Sequence, residues 1–97
     1  MTKIVQYPLQ VTGIQLLKLP VGARLLTVQM VGNAVSLWGI ADDASRAVVD
    51  IEIRMLGGGD VALDGSVWMY VGTMQVHGAV QHVFANAKHL SSGAIRM

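Results

Sequence analysis

From Val49 to Met55 the chain alternates without a break. Val49, Ile51, Ile53 and Met55 fall on one side of an extended backbone, and Asp50, Glu52 and Arg54 fall on the other. Side chains of a strand point to opposite faces with a period of two, so this segment predicts a strand with one buried and one wet face. The same period, carried by Val, Leu, Ile and aromatic residues, predicts further strands over Ile4–Tyr7, Gln15–Leu19, Arg24–Val31, Ala34–Ile40, Trp68–Val76 and Ala79–Ala85. About seven short strands exceed what one flat sheet usually holds. The expected fold is therefore all-β, an antiparallel sandwich or a partly open barrel.

Turn chemistry punctuates the pattern. Leu19-Pro20-Val21-Gly22-Ala23 is a Pro/Gly turn that delivers the chain into the strand beginning at Arg24. Gly32-Asn33 and His77-Gly78 read as two-residue hairpin loops, in which residues that tolerate positive φ form a primed turn matched to strand twist. Asp42-Asp43-Ala44-Ser45 suits a longer connection with Asx-type bonds. Gly57-Gly58-Gly59-Asp60 opens the longest irregular stretch, because three consecutive glycines disfavour any regular element and predict a mobile loop running through Ser66. After Asn86 the alternation fades, so residues 1–86 are expected to form a single β domain and 87–97 an irregular C-terminal tail.

Composition adds a constraint on association. The 97 residues are 53% hydrophobic and 13% charged, against about 25% charged in ordinary soluble domains. A small chain this poor in ions is expected to cover part of its surface with copies of itself. Polar residues interrupt every apolar run well short of a spanning helix, so no membrane span is expected. Residues 1–8 lack a secretory h-region, which makes the cytoplasm the expected location. The absence of cysteine removes disulfides and thiolate chemistry. A formal charge of +1 is too small for the cationic stripe of a duplex-binding protein.

Candidate chemistry is sparse. The triple glycine lacks the Lys-Ser/Thr pair and the following helix of a phosphate loop. His77, His82 and His89 fall in a turn, a strand and the tail, so they do not converge as a metal site, and no cofactor is expected. The carboxylates show no catalytic dyad and Ser36 has no nucleophile-elbow context, which argues against an enzyme. The remaining possibility is recognition. Trp68 and Tyr70 share a strand face, and His82 shares one with Val80 and Phe84. An aromatic wall of Trp38, Trp68 and Tyr70 beside Thr73, Gln75 and His82 would suit stacking and edge-reading of a purine. At a seam between copies, Arg24 or Arg54 could hold a phosphate through the forked guanidinium, and Arg24 is the expected contact.

Tyr7-Pro8-Leu9, Leu19-Pro20-Val21-Gly22-Ala23-Arg24, Leu37-Trp38, Tyr70-Val71-Gly72-Thr73-Met74-Gln75 and His82-Val83-Phe84 together resemble a family of small proteins of tailed bacteriophages and prophages. The resemblance implies no particular activity, and it supplies a setting in which small non-enzymatic proteins act against host defence. The leading expectation is a homo-oligomeric binder of a small nucleotide-derived defence signal, with Arg24, Trp38, Tyr70, Gln75 and His82 as ligand contacts. The alternatives are an inhibitor that docks on a host protein by strand addition or an apolar patch, and a structural or assembly factor of the virion.

Overall fold

In the computed structural model, which describes residues 2–42, 47–59, 63 and 67–90, the chain forms seven strands and one short 3₁₀ turn. The strands are β1 (Thr2–Leu9), β2 (Ile14–Pro20), β3 (Arg24–Val31), β4 (Ala34–Asp42), β5 (Val48–Gly57), β6 (Trp68–Val76) and β7 (Ala79–Asn86). They make two antiparallel sheets, a three-stranded one in the order β1-β4-β3 and a four-stranded one in the order β2-β5-β7-β6. The sheets do not close into a barrel, and the fold is a sandwich.

Alternation explains which face of each strand is buried. Ile51, Ile53 and Met55 point into the sandwich and are at most 4% exposed, as their spacing requires. Leu37, Leu19 and Val83, at 0% exposure, meet them from the other strands. Removing such a side chain costs about 2–5 kcal/mol, because the hydrophobic transfer is lost and a cavity is left behind.

Three connections pass between the sheets, and the described residues show how two of these corners are fastened. At Pro20–Ala23 the Ala23 N–H donates to the Pro20 carbonyl at 3.1 Å and Gly22 has φ +83°. This is a type II turn, whose third position favours glycine. The Val21 N–H donates to Ala47 O at 3.0 Å, tying this corner to the entry of β5. In the β1–β2 connection the Gln15 amide is bonded twice, its Nε2 donating to Gln10 O at 2.7 Å and its Oε1 accepting from the Gln10 N–H at 3.1 Å.

The hairpin signals differ in detail. His77 (φ +52°) and Gly78 (φ +81°) are both left-handed, as a type I′ turn requires. At Gly32-Asn33 only Gly32 (φ +61°) is left-handed, so this turn follows the II′ pattern rather than one with two positive φ angles. Gly57 also departs from expectation, since it closes β5 opposite Gln81 instead of opening a loop. The rest of that stretch, apart from Gly58, Gly59 and Leu63, lies outside the described residues, as does the connection at 43–46.

Two bulges shape one side of the sandwich. The registers of β3 with β4 and of β6 with β7 slip between Leu25 and Thr27 and between Tyr70 and Gly72. A bulge inserts one unpaired residue and strengthens local twist. Here the two bulged edge strands approach each other, and a Cβ placed on Gly72 would stand 3.2 Å from Val28 Cγ2. Beyond β7, the Asn86 side chain accepts from the Lys88 N–H at 3.0 Å and starts the 3₁₀ turn Ala87–His89. Leu90 packs against the core, so the chain stays attached to the sandwich here, where the loss of alternation predicts an irregular tail. Residues 91–97 lie outside the described residues.

Candidate functional site

The outer face of the four-stranded sheet gathers the side chains with recognition chemistry. Register places Tyr70 opposite Phe84, Thr73 opposite His82, and Gln75 opposite Val80. On the far side of β7, Arg54 lies opposite Phe84 and Leu56 opposite His82. The result is a continuous patch across β5, β7 and β6.

The bulge at Val71 makes this patch possible. Strict alternation would put Thr73 on the face opposite Tyr70, because the two are an odd number of residues apart. The extra residue shifts the parity, so that Thr73 and Gln75 come out on the same side as Tyr70 while Val71, Met74 and Val76 are buried. The sequence carries this signal in its apolar spacing, which changes from three to two across 71, 74 and 76.

Within the patch, Thr73 Oγ1 bonds to both the Tyr70 hydroxyl and His82 Nδ1, the latter at 3.0 Å. The Phe84 ring meets the Tyr70 ring edge-on, with centroids 5.7 Å apart and planes at 61°, a preferred arrangement for two aromatic quadrupoles. Arg54 Nε donates to Glu52 Oε2, and its guanidinium lies 5.4 Å from the Trp68 ring centroid. That cation is therefore engaged by a carboxylate and an aromatic face.

Beside His82 and Phe84 opens a cavity of about 320 Å³, bounded by Leu56, Gly57, Gly58, Gly59 and Leu63. This is at the lower end of the roughly 300–1,000 Å³ of small-molecule sites. Among the described residues its walls are apolar, the imidazole of His82 is its polar side chain, and no charged side chain lines it.

The expected site residues separate into two groups. Tyr70, Gln75 and His82 share the outer face just described, although Gln75 does not line the cavity. Arg24 and Trp38 belong to β3 and β4 in the other sheet. Arg24 lies opposite Ile40, and Trp38 lies opposite Gln6 and Thr27, on the face away from the buried Leu37. One aromatic wall that joins Trp38 to Tyr70 and His82 does not form within a single chain, because the core of the sandwich stands between the two sheets. Thr73 and Phe84 are in contact with Tyr70 and His82, Arg54, the alternative cation of the sequence pattern, lies opposite Phe84 on this face, and Leu56 and Leu63 are neighbours that the pattern does not single out. Among the described residues, no group of three His, Cys, Asp or Glu side chains converges in a way that would hold a metal. No helix among them is long and apolar enough to cross a membrane.

The fold and the patch define an antiparallel β-sandwich with a ligand-sized slot on one outer sheet face. The chain belongs to the family described as Domain of unknown function (DUF7352), whose model matches residues 1–93. No curated protein and no solved structure matches the chain.

Proposed function

We propose that this protein is a non-enzymatic, phage-encoded binder that works as a homo-oligomer inside the infected cell and sequesters a small nucleotide-derived defence signal. The observation that carries the reading is the slot beside His82 and Phe84, with the bonded series Tyr70–Thr73–His82 along its rim. An apolar cavity with a few placed polar groups is the usual form of a small-molecule site. The Thr73 hydroxyl beside the His82 imidazole is also bonded to the Tyr70 hydroxyl and does not itself line the slot, which favours holding a ligand over transforming it.

Self-association is supported by the apolar side chains left on the surface. Ile4, Ile14 and Leu16 are 57–67% exposed, and Ile14 and Leu16 stand on the same outer face as the slot, on edge strand β2. In this reading Arg24 and Trp38 contribute to a bound ligand from a second copy. Thermal-shift measurements across a panel of nucleosides, mononucleotides and cyclic oligonucleotides, paired with native mass spectrometry, test the proposal. Stabilisation by a panel member together with a multimeric mass supports it, whereas a strict monomer that no panel member stabilises removes it.

A second reading has its own support. The exposed Ile14 and Leu16 lie on a strand paired on one side alone, the arrangement used for strand addition by a protein partner. Under that reading an affinity-tagged copy recovers a stoichiometric host protein, and Leu16→Lys abolishes the recovery.

A further inference from the structure

Within the small-molecule reading above, on which this step rests, we propose that the slot takes an uncharged, planar heteroaromatic ring, held edge-on to His82 Nε2, and leaves any phosphate of the ligand outside. Three observations lead there.

The first is the direction of the hydrogen bonds. His82 Nδ1 is occupied by Thr73 Oγ1 at 3.0 Å, which leaves Nε2 as the ring nitrogen with which this cavity-lining imidazole meets a ligand. The Thr73 hydroxyl has one proton to give and stands between two partners. When Tyr70 donates to Thr73 and Thr73 donates to Nδ1, the imidazole carries its proton on Nε2 and offers the ligand a donor. When Nδ1 donates to Thr73 and Thr73 donates to Tyr70, Nε2 offers an acceptor. Both arrangements satisfy all three groups, so the rim adapts to either kind of ring-edge atom. Nucleobases present donors and acceptors side by side on one edge, and protein sites read them there.

The second is the shape and polarity of the walls. Leu56, Leu63 and Phe84 supply apolar surface with His82 as the polar member. The Phe84 ring is steadied by its edge-on contact with Tyr70. A flat ring gains stacking and burial against such walls, and one in-plane nitrogen or oxygen suffices to satisfy the imidazole.

The third is the placement of charge. The nearest cation described on this face is Arg54, which is committed to Glu52 and to the Trp68 ring, and among the described residues no charged side chain lines the slot. A phosphate driven into the slot would exchange water for apolar walls without a counter-charge. The base-like part of the ligand therefore enters, and the anionic part stays in solvent.

Titration calorimetry with adenosine, inosine and their 5′-monophosphates, at two salt concentrations, tests this directly. The expected result is that each nucleoside binds within about threefold of its monophosphate, with little salt dependence. His82→Phe, which keeps a ring in place without the nitrogen, should weaken the nucleosides at least tenfold. Thr73→Val, which cuts the series but leaves the imidazole, should change the adenosine-to-inosine ratio more than the overall affinity. A melting curve for each variant confirms folding. Monophosphates that bind while nucleosides do not, or affinity that collapses with salt, overturn the ring-first inference and leave the small-molecule reading standing. Silence from all four compounds and from the wider panel removes both.

Discussion

The two sheets share one core but show solvent different chemistry. On the three-stranded sheet the outer face is centred on β4, flanked on both sides by partners. Gln6 Nε2 donates to Ser36 Oγ at 2.6 Å there, and Ser36 is 1% exposed. There the Gln6 amide and the buried Ser36 hydroxyl satisfy each other. On the four-stranded sheet the outer face carries Trp68, Tyr70, His82 and Phe84 around a slot, and Tyr70 remains 58% exposed. A face whose polar atoms are paired internally is finished as a surface, whereas one with a cavity and a half-used imidazole is equipped for a ligand. The difference arises from a bulge: without the extra residue at Val71, Thr73 would lie on the buried side and His82 would lose its partner.

The harshest way to break the comparison is to disturb the contact that holds the two faces back to back. Gly72→Val pushes a branched side chain into Val28 and Thr27, where a Cβ alone would already stand 3.2 Å from Val28 Cγ2. A loss of about 1–3 kcal/mol is expected from such overpacking, read as a lower midpoint in a urea melt. Gly13→Ala is the control, since a Cβ there meets nothing within 4 Å. Equal melts for the two variants would show that the pinch between β3 and β6 does not support the sandwich.

A milder pair sharpens the comparison itself. Trp38→Ala and Phe84→Ala each delete a half-buried ring from the outer side of a central strand, at a stability cost somewhat below the ~3–5 kcal/mol of a fully buried aromatic. Ligand binding should separate them. Phe84→Ala is expected to weaken adenosine by tenfold or more in calorimetry, while Trp38→Ala leaves it within a factor of two. If both variants lose the nucleoside equally, the faces are not functionally distinct.

Much of the fold was legible because burial imposes a period on the residues. β3 and β6 were bounded correctly at both ends, Arg24–Val31 and Trp68–Val76, since a turn stands before or after each and the apolar spacing inside is dense. β1 and β5 run longer than predicted, to Leu9 and Gly57, because pairing with a neighbour extends a strand past the point where its own alternation stops. The assignment of strands to sheets was not legible. Nothing in Leu37-Trp38 or Pro20–Arg24 states that β3 and β4 lie across the core from β6 and β7, which is why the sequence pattern alone groups Arg24 and Trp38 with His82. Bulges were the second hidden feature, visible only as the uneven spacing of Val71, Met74 and Val76.

The smallest effect expected concerns a residue inside the three-stranded sheet and bears on how far its inner face is shielded. Tyr7 packs against the core, and burial raises its phenol above the ordinary value of 10.0. Below that value the phenol is neutral in folded and unfolded chains alike, so its contribution to folding is complete. As pH rises past 10.0 the unfolded chain releases the proton first, and stability declines until the folded phenol also ionises. Tyr7→Phe removes this linked loss. Its urea midpoint should fall less between about pH 9 and pH 11 than that of the native chain, with the two curves parallel at lower pH. Parallel curves through the whole alkaline range would mean that solvent reaches the Tyr7 hydroxyl as freely as in the unfolded chain. The three-stranded sheet would then be less closed on its inner side than its neighbour.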